Sequence, residues 1–142
     1  MLVDTILQSK GTKVHTLPHS GSLGDAVALL NTHNIGAIVI TGADQAIAGI
    51  LSERDIVRRL GTDPARALAL PIADAMTRGV ITCERSTTID EVMERMTRHR
   101  IRHMPVAESG ALVGIISIGD VVKLKIEEAE REAADLRDYI AS

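Results

Sequence analysis

The apolar positions of this chain fall into short blocks that switch between two periods. Val14-His15-Thr16 and Val80-Ile81-Thr82 are short β-favouring stretches. Each is followed by a hydroxyl residue with an acid three positions on, Ser22 with Asp25 and Thr88 with Glu91, the signal of a capped helix start. Beyond the second start, Ile89, Val92, Met93 and Met96 recur at i, i+3, i+4 and i+7 and make one apolar helical face. Leu23, Val27 and Leu30 line the corresponding face beyond the first, and both helices end near a histidine, His33 or His99. Apolar runs over residues 35–40 and 101–106 predict strands. Turn residues Thr41-Gly42-Ala43-Asp44 and Glu108-Ser109-Gly110 come next. Strands over residues 46–51 and 111–116 then each lead into a further helix.

The two series are copies of each other. Gly49-Ile50-Leu51-Ser52-Glu53-Arg54-Asp55 returns as Gly114-Ile115-Ile116-Ser117-Ile118-Gly119-Asp120. The shared pattern is Gly, two apolar residues, Ser, two variable residues and Asp. The offset is 66 at Val14 and Val80 and 65 at Gly49 and Gly114, because the first turn is longer by one residue. A repeat this long predicts two copies of one structural unit. A single unit of this size buries little core, so its sheet is expected to pack against its copy. The predicted class is α/β in the α+β sense: two β-α-β-β-α units about a pseudo-twofold axis, plus a long C-terminal helix. Residues 1–62 are assigned to the first unit with an N-terminal helix, and 63–78 to a linker and short helix. Residues 79–125 form the second unit and 126–142 the C-terminal helix. Thr62-Asp63-Pro64 reads as a turn, and Pro71 suits the first turn of a short helix through Met76.

The tail departs from the repeat. Val122, Ile126, Ala129, Ala133, Leu136 and Ile140 are spaced 4, 3, 4, 3, 4, a heptad seam. Glu127 and Arg131 are set for an i, i+4 pair. The seam fits a helix folded back on its own domain, and equally a helix packed across a dimer interface.

Composition narrows the chemistry. Hydrophobic residues make up 45%, yet Phe and Trp are absent and Tyr139 is the only aromatic of its kind, so the core must be aliphatic. Binding of single-stranded nucleic acid relies on aromatic platforms, and a net charge of −3 gives no global attraction to phosphate polymers. No nucleic-acid partner is expected. One cysteine, Cys83, excludes an intrachain disulfide and a multi-cysteine metal site, and fits a reduced compartment. The longest uncharged apolar stretch, residues 111–118, is far short of the ~20 residues of a membrane span. The first ten residues do not read as a signal peptide. The expectation is a cytoplasmic protein without a membrane partner.

The repeated Ser-x-x-Asp has two readings. Ser52 with Asp55 and Ser117 with Asp120 can simply form capping boxes. A helix start at a strand end also presents free N–H groups and a positive dipole end to anions. An Asp in that turn can accept from two ribose hydroxyls, and a Ser hydroxyl can bond a sugar or phosphate oxygen. Ribose and phosphate together suggest a nucleotide. Arg100, Arg102 and His103 surround the start of a predicted strand, and Arg54 lies in the first Ser-x-x-Asp turn. Arginine suits phosphate through its planar fork. In a regular strand Arg102 and His103 would point to opposite faces.

The whole pattern resembles the tandem cystathionine-β-synthase (CBS) domain pair, or Bateman module, over roughly residues 14–125. The resemblance rests on Ala75-Met76-Thr77, Ile101-Arg102-His103-Met104-Pro105-Val106 and the two Gly-h-h-Ser-x-x-Asp segments, where h is apolar, in order and duplicated. It implies an adenosine-containing ligand (AMP, ADP, ATP, NAD(H) or S-adenosylmethionine) in the cleft between repeats. It further implies that Asp55 and Asp120 hold ribose hydroxyls, with Ser52 and Ser117 beside ribose or phosphate. Arg102, His103 and Arg54 would meet phosphates. Adenine would lie near Thr16, Ile35, Gly36 and Ala37 in one site and Thr82, Ile101 and Met104 in the other, with Pro105 also among the ligand-binding residues. The halves are unequal: Gly36-Ala37-Ile38-Val39 stands where the second has Arg102-His103-Met104-Pro105, and Glu53-Arg54 where the second has Ile118-Gly119.

Other classes fit less well. His99 and His103 are i, i+4, but a strand begins between or just after them, so no metal site is expected. Neither a nucleophile elbow, a dinucleotide-binding glycine motif nor a P-loop is present, so no catalytic role is expected. A ligand-free dimerisation scaffold is the alternative, but it has no need for Asp at both helix starts. The reading is a non-catalytic regulatory module. It senses an adenosine nucleotide, forms a homodimer and signals to a target protein.

Overall fold

The computed structural model describes all residues, Met1–Ser142. Five helices, α1 (Val3–Lys10), α2 (Leu23–His33), α3 (Glu53–Thr62), α4 (Ile89–His99) and α5 (Ile118–Ala141), surround two small sheets. The first sheet has the order β1 (Thr16–Pro18), β2 (Ala37–Thr41), β3 (Ile47–Ser52), with β1 parallel and β3 antiparallel to β2. The second is an antiparallel pair, β4 (His103–Glu108) and β5 (Ala111–Ser117).

The duplication extends to individual hydrogen bonds. Helix α2 ends on Asn34 and α4 on Arg100, both left-handed. Ala37 pairs with Ser52 as His103 pairs with Ser117, and each hairpin shifts register at the equivalent step, Ile40/Thr41 and Val106/Ala107. Glu53 donates its N–H to the Gly36 carbonyl, and Ile118 donates to Arg102 in the same way. Identical local sequence logic therefore builds the same strand–cap–helix corner twice.

The copies differ at their first strand. Val80-Ile81-Thr82 forms no strand; only Cys83 makes a parallel bridge, to Val106, where the first unit has three paired residues. Pro105, in the place of Val39, has no N–H to extend the ladder toward Ile81. Other elements start or stop a residue or two from their sequence bounds. The Ala43–Gln45 turn and the Ile72–Asp74 segment after Pro71 are single 3₁₀ turns.

Two aliphatic cores result. One joins Leu23, Ala26 and Leu30 of α2 to Ile38, Ile40, Leu51 and Ile56, closed by Ile72 and Met76. The other joins Ile89, Val92 and Met96 of α4 to Met104, Val106, Ile116, Val121 and Leu124. Its remaining members include Val3, Ile6 and Leu7. Helix α1 thus stands next to the first repeat in sequence but packs in the core of the second. Burying an aliphatic side chain contributes about 1.5–3 kcal/mol, so three of them make α1 an integral part of that core. Backbone bonds fix it further: Val3 donates to Thr87 O and Ile89 to Met1 O.

The tail is not a separate element. Helix α5 runs unbroken from Ile118 to Ala141, so no boundary falls at residue 126. Val121 and Leu124 enter the second core, while Val122, Ile126, Leu136 and Ile140 are exposed, as are Ala129 and Ala133. The helix does not fold back, and within one chain the seam has no partner. Lys125 pairs with Asp90 and Glu128; Glu127 and Arg131 do not form the expected pair.

Candidate functional site

Both Ser-x-x-Asp segments form capping boxes. Ser52 Oγ accepts from Asp55 N–H, and an Asp55 carboxylate oxygen accepts from Ser52 N–H at 2.9 Å. Ser117 and Asp120 repeat this, also at 2.9 Å. Capping uses one carboxylate oxygen, Oδ2, in each case. The other oxygen differs. Asp55 Oδ1 accepts from Thr77 Oγ1 at 3.3 Å and the residue is 9% exposed. Asp120 Oδ1 has no protein donor, and that side chain is 24% exposed.

Asp120 Oδ2 has a further partner that sequence reasoning missed. Lys10, the last residue of α1, donates to it at 2.6 Å and to the Ile115 carbonyl at 2.9 Å. Burial pushes the Asp120 carboxyl upward, but the hydrogen bonds from Lys10 and Ser117 outweigh it and hold the group below its ordinary value. No motif marks Lys10. The repeat offset pairs it with Met76, and only the packing of α1 on the second repeat brings it here.

Around these corners the expected site residues separate into groups. His103, facing Ser117 across the β4–β5 pair, also reaches the first repeat. A methyl placed on Gly36 would lie 3.1 Å from His103 Cε1 and 2.8 Å from Glu53 Oε1. The imidazole of the second repeat thus packs tightly over Gly36 of the first. Arg102 precedes the strand, in a bend, with an exposed side chain, so strand alternation does not govern its direction. Arg54 donates to the Arg100 carbonyl at 3.3 Å, a bond that links the two repeats.

The adenine-side residues are more dispersed. Thr16 lines a cavity of about 430 Å³, with Thr41, Gln45 and Leu112 among its walls. Thr82 lines a second cavity of about 650 Å³, with Glu84, Glu91 and Arg95. Both cavities share Ser109 and Gly110 of the β4–β5 turn, and neither is lined by Asp55 or Asp120. Ile35 and Ile101 are half-buried and pack against the first and second cores respectively. Ala37 is 6% exposed, Met104 is fully enclosed in the second core, and Pro105 is buried. Met104 presents no surface to a cleft, because strand alternation turns it inward while His103 faces the junction. Cys83 is buried as well, and burial pushes its thiol up to about 11, which keeps it protonated and inert. No cluster of three His, Cys, Asp or Glu side chains is placed to hold a metal ion. No helix is long and apolar enough to cross a membrane.

Burial lowers the His103 pKa, with Lys10 and Arg102 adding to it while Glu53 and Asp120 oppose. A folded value below the ordinary 6.5 means that the imidazole favours folding when neutral. Its contribution is complete above 6.5 and is lost as pH falls through the lower folded value. Urea unfolding of the wild type should therefore show a loss of stability between pH 7 and 5 that His103→Gln reduces. Equal losses in the two proteins would contradict this burial.

The comparisons with known proteins agree with this geometry. The family model for the CBS domain matches twice, at residues 10–62 and 72–127. The mitochondrial CBS domain-containing protein CBSX3 of Arabidopsis thaliana is 38% identical over 82% of this chain, which spans 58% of that relative. The crystal structure of a CBS-domain containing protein from Agrobacterium tumefaciens is 44% identical, with a TM-score of 0.85, covering 87% of this chain and 92% of that one. The CBS domain pair of protein MJ0100, in complex with 5'-methylthioadenosine and S-adenosyl-L-methionine, is 28% identical with a TM-score of 0.79, covering 90% and 98%. The duplicated corner, the paired cores and these matches lead to one conclusion: the chain belongs to the CBS domain family and carries two CBS domains in tandem.

Proposed function

We propose that this CBS pair is a non-catalytic regulatory module that binds an adenosine-containing ligand between its repeats. The observation that carries the reading is the pair of aspartates at equivalent helix starts, with the Asp120 side chain about a quarter exposed and one of its oxygens without a donor. An ionised carboxylate can accept from both hydroxyls of a ribose diol. His103, Arg102 and the α5 N-terminus supply groups suited to phosphate. The complex of protein MJ0100 with two adenosine compounds supports the ligand class. AMP, ADP, ATP and NAD(H) are the proposed ligands, with Asp120 and Asp55 on ribose, Ser117 and Ser52 beside it, and His103, Arg102 and Arg54 toward phosphate. The ligand acts by binding one relative orientation of the repeats better than another, and a target protein reads the difference.

Calorimetry tests this with AMP, ATP, NADH and S-adenosylmethionine on the wild type, Asp55→Asn and Asp120→Asn. Asparagine keeps an oxygen for the cap and loses the charge. A hydrogen bond to a charged group contributes about 1.5–3 kcal/mol, so the Asp120 variant should bind at least tenfold more weakly, about 1.4 kcal/mol. No binding of any of the four to the wild type would contradict the ligand class. Unchanged affinity in both variants would contradict the ribose roles.

The exposed seam of α5 supports a homodimer formed through that face. Sedimentation should find a dimer that Ile126→Asp converts to a monomer. A monomeric wild type at micromolar concentration would rule this interface out.

A further inference from the structure

The two helix starts are closed by chemically different groups at the same point. In the first repeat, Thr77 donates its backbone N–H to the Ile50 carbonyl at 2.9 Å and its hydroxyl to Asp55 at 3.3 Å. Ile115 and Asp120 are the equivalents of Ile50 and Asp55. There, the Lys10 ammonium does both jobs, at 2.9 Å to the Ile115 carbonyl and 2.6 Å to Asp120. The first corner is closed by a neutral residue and the second by a full positive charge.

That charge is held in place. Lys10 ends α1, whose Val3, Ile6 and Leu7 lie in the second core. Leu7 is so close to β5 that a methyl on Gly114 would lie 2.7 Å from its Cδ2. An ammonium carries three donors, and two are used on Ile115 and Asp120. His103 pairs with Ser117, the cap of this corner, and the Arg102 carbonyl accepts from Ile118 N–H, the first residue of α5.

We propose that Lys10 makes the second site selective for a 5'-phosphorylated ribonucleoside over the unphosphorylated nucleoside. This inference rests on the reading that Asp120 receives a ribose diol. A ribose diol that binds the carboxylate through both oxygens places one hydroxyl on the free Oδ1 and the other on Oδ2, where it competes with the ammonium. An uncharged nucleoside that takes Oδ2 weakens the pairing of Lys10 with its counter-ion and supplies no anion in return. A nucleotide supplies a replacement anion within reach of the flexible lysine stem. Lys10 thus opposes the neutral ligand and favours the anionic one. The first site, with Thr77 in the equivalent place, has no such bias.

The test is calorimetry with adenosine and AMP on the wild type, Lys10→Met and Lys10→Arg, with Asp120→Asn as the marker of second-site binding. Methionine keeps the stem and removes the charge; arginine keeps the charge. Thermal melts confirm that each variant is folded. A partly exposed ion pair contributes up to about 1 kcal/mol, or roughly fivefold. The ratio of AMP to adenosine affinity should therefore fall by up to about fivefold in Lys10→Met and stay near wild type in Lys10→Arg. Asp120-dependent binding whose AMP-to-adenosine ratio is unmoved by Lys10→Met would overturn this inference and leave the nucleotide reading standing. Failure of both adenosine and AMP to bind the wild type would overturn both.

Discussion

The structure depends on where the segment preceding each repeat packs. Helix α1 leads into the first repeat but completes the core of the second, through Val3, Ile6 and Leu7. The segment around Ile72 and Met76 leads into the second repeat but completes the core of the first. Leu2 bridges Thr88, the cap of α4, and Pro71 bridges Ser22, the cap of α2. Each small sheet, too thin to bury its own apolar face, borrows a cover from the segment that leads into its copy. The exchange ties the repeats together without a disulfide or metal, and it requires Gly49 and Gly114. A methyl on Gly49 would meet Met76 at 2.7 Å and the Thr77 carbonyl at 2.9 Å, and one on Gly114 would meet Leu7.

The same exchange creates the chemistry. Thr77 and Lys10 reach Asp55 and Asp120 only because the leading segments cross over. The cap is compatible with the proposed ribose contact of Ser-x-x-Asp. The cap uses Oδ2 and fixes the carboxylate at the strand end, while the second oxygen is free in Asp120 and tied to Thr77 in Asp55. Pre-positioning of this kind lowers the ordering that a ligand must impose. It also makes the two corners unequal in charge as well as in access.

Much of this was legible in the sequence. The duplicated corner, the helix starts at Ser22, Thr88, Ser52 and Ser117, and the aliphatic core follow from spacing and capping chemistry, which are local. The asymmetry at His103 was visible too, as was the seam of α5. What sequence periodicity hides is packing at long range. Lys10 sits at an undistinguished helix end, and its contact with Asp120 spans 110 residues. The missing strand at residues 80–82 needed the recognition that Pro105 faces it. Met104 was legible as apolar, but not as facing inward, because the strand begins at His103.

The most direct test of the central claim, that a duplicated capping aspartate holds a ribose between the repeats, is a crystal structure of the protein with bound AMP. The account predicts both ribose hydroxyls within hydrogen-bond distance of the Asp120 carboxylate, the Ser117–Asp120 cap intact, and the Lys10 ammonium moved from Asp120 toward the phosphate. AMP seated elsewhere, with the carboxylates of Asp55 and Asp120 untouched, would contradict it.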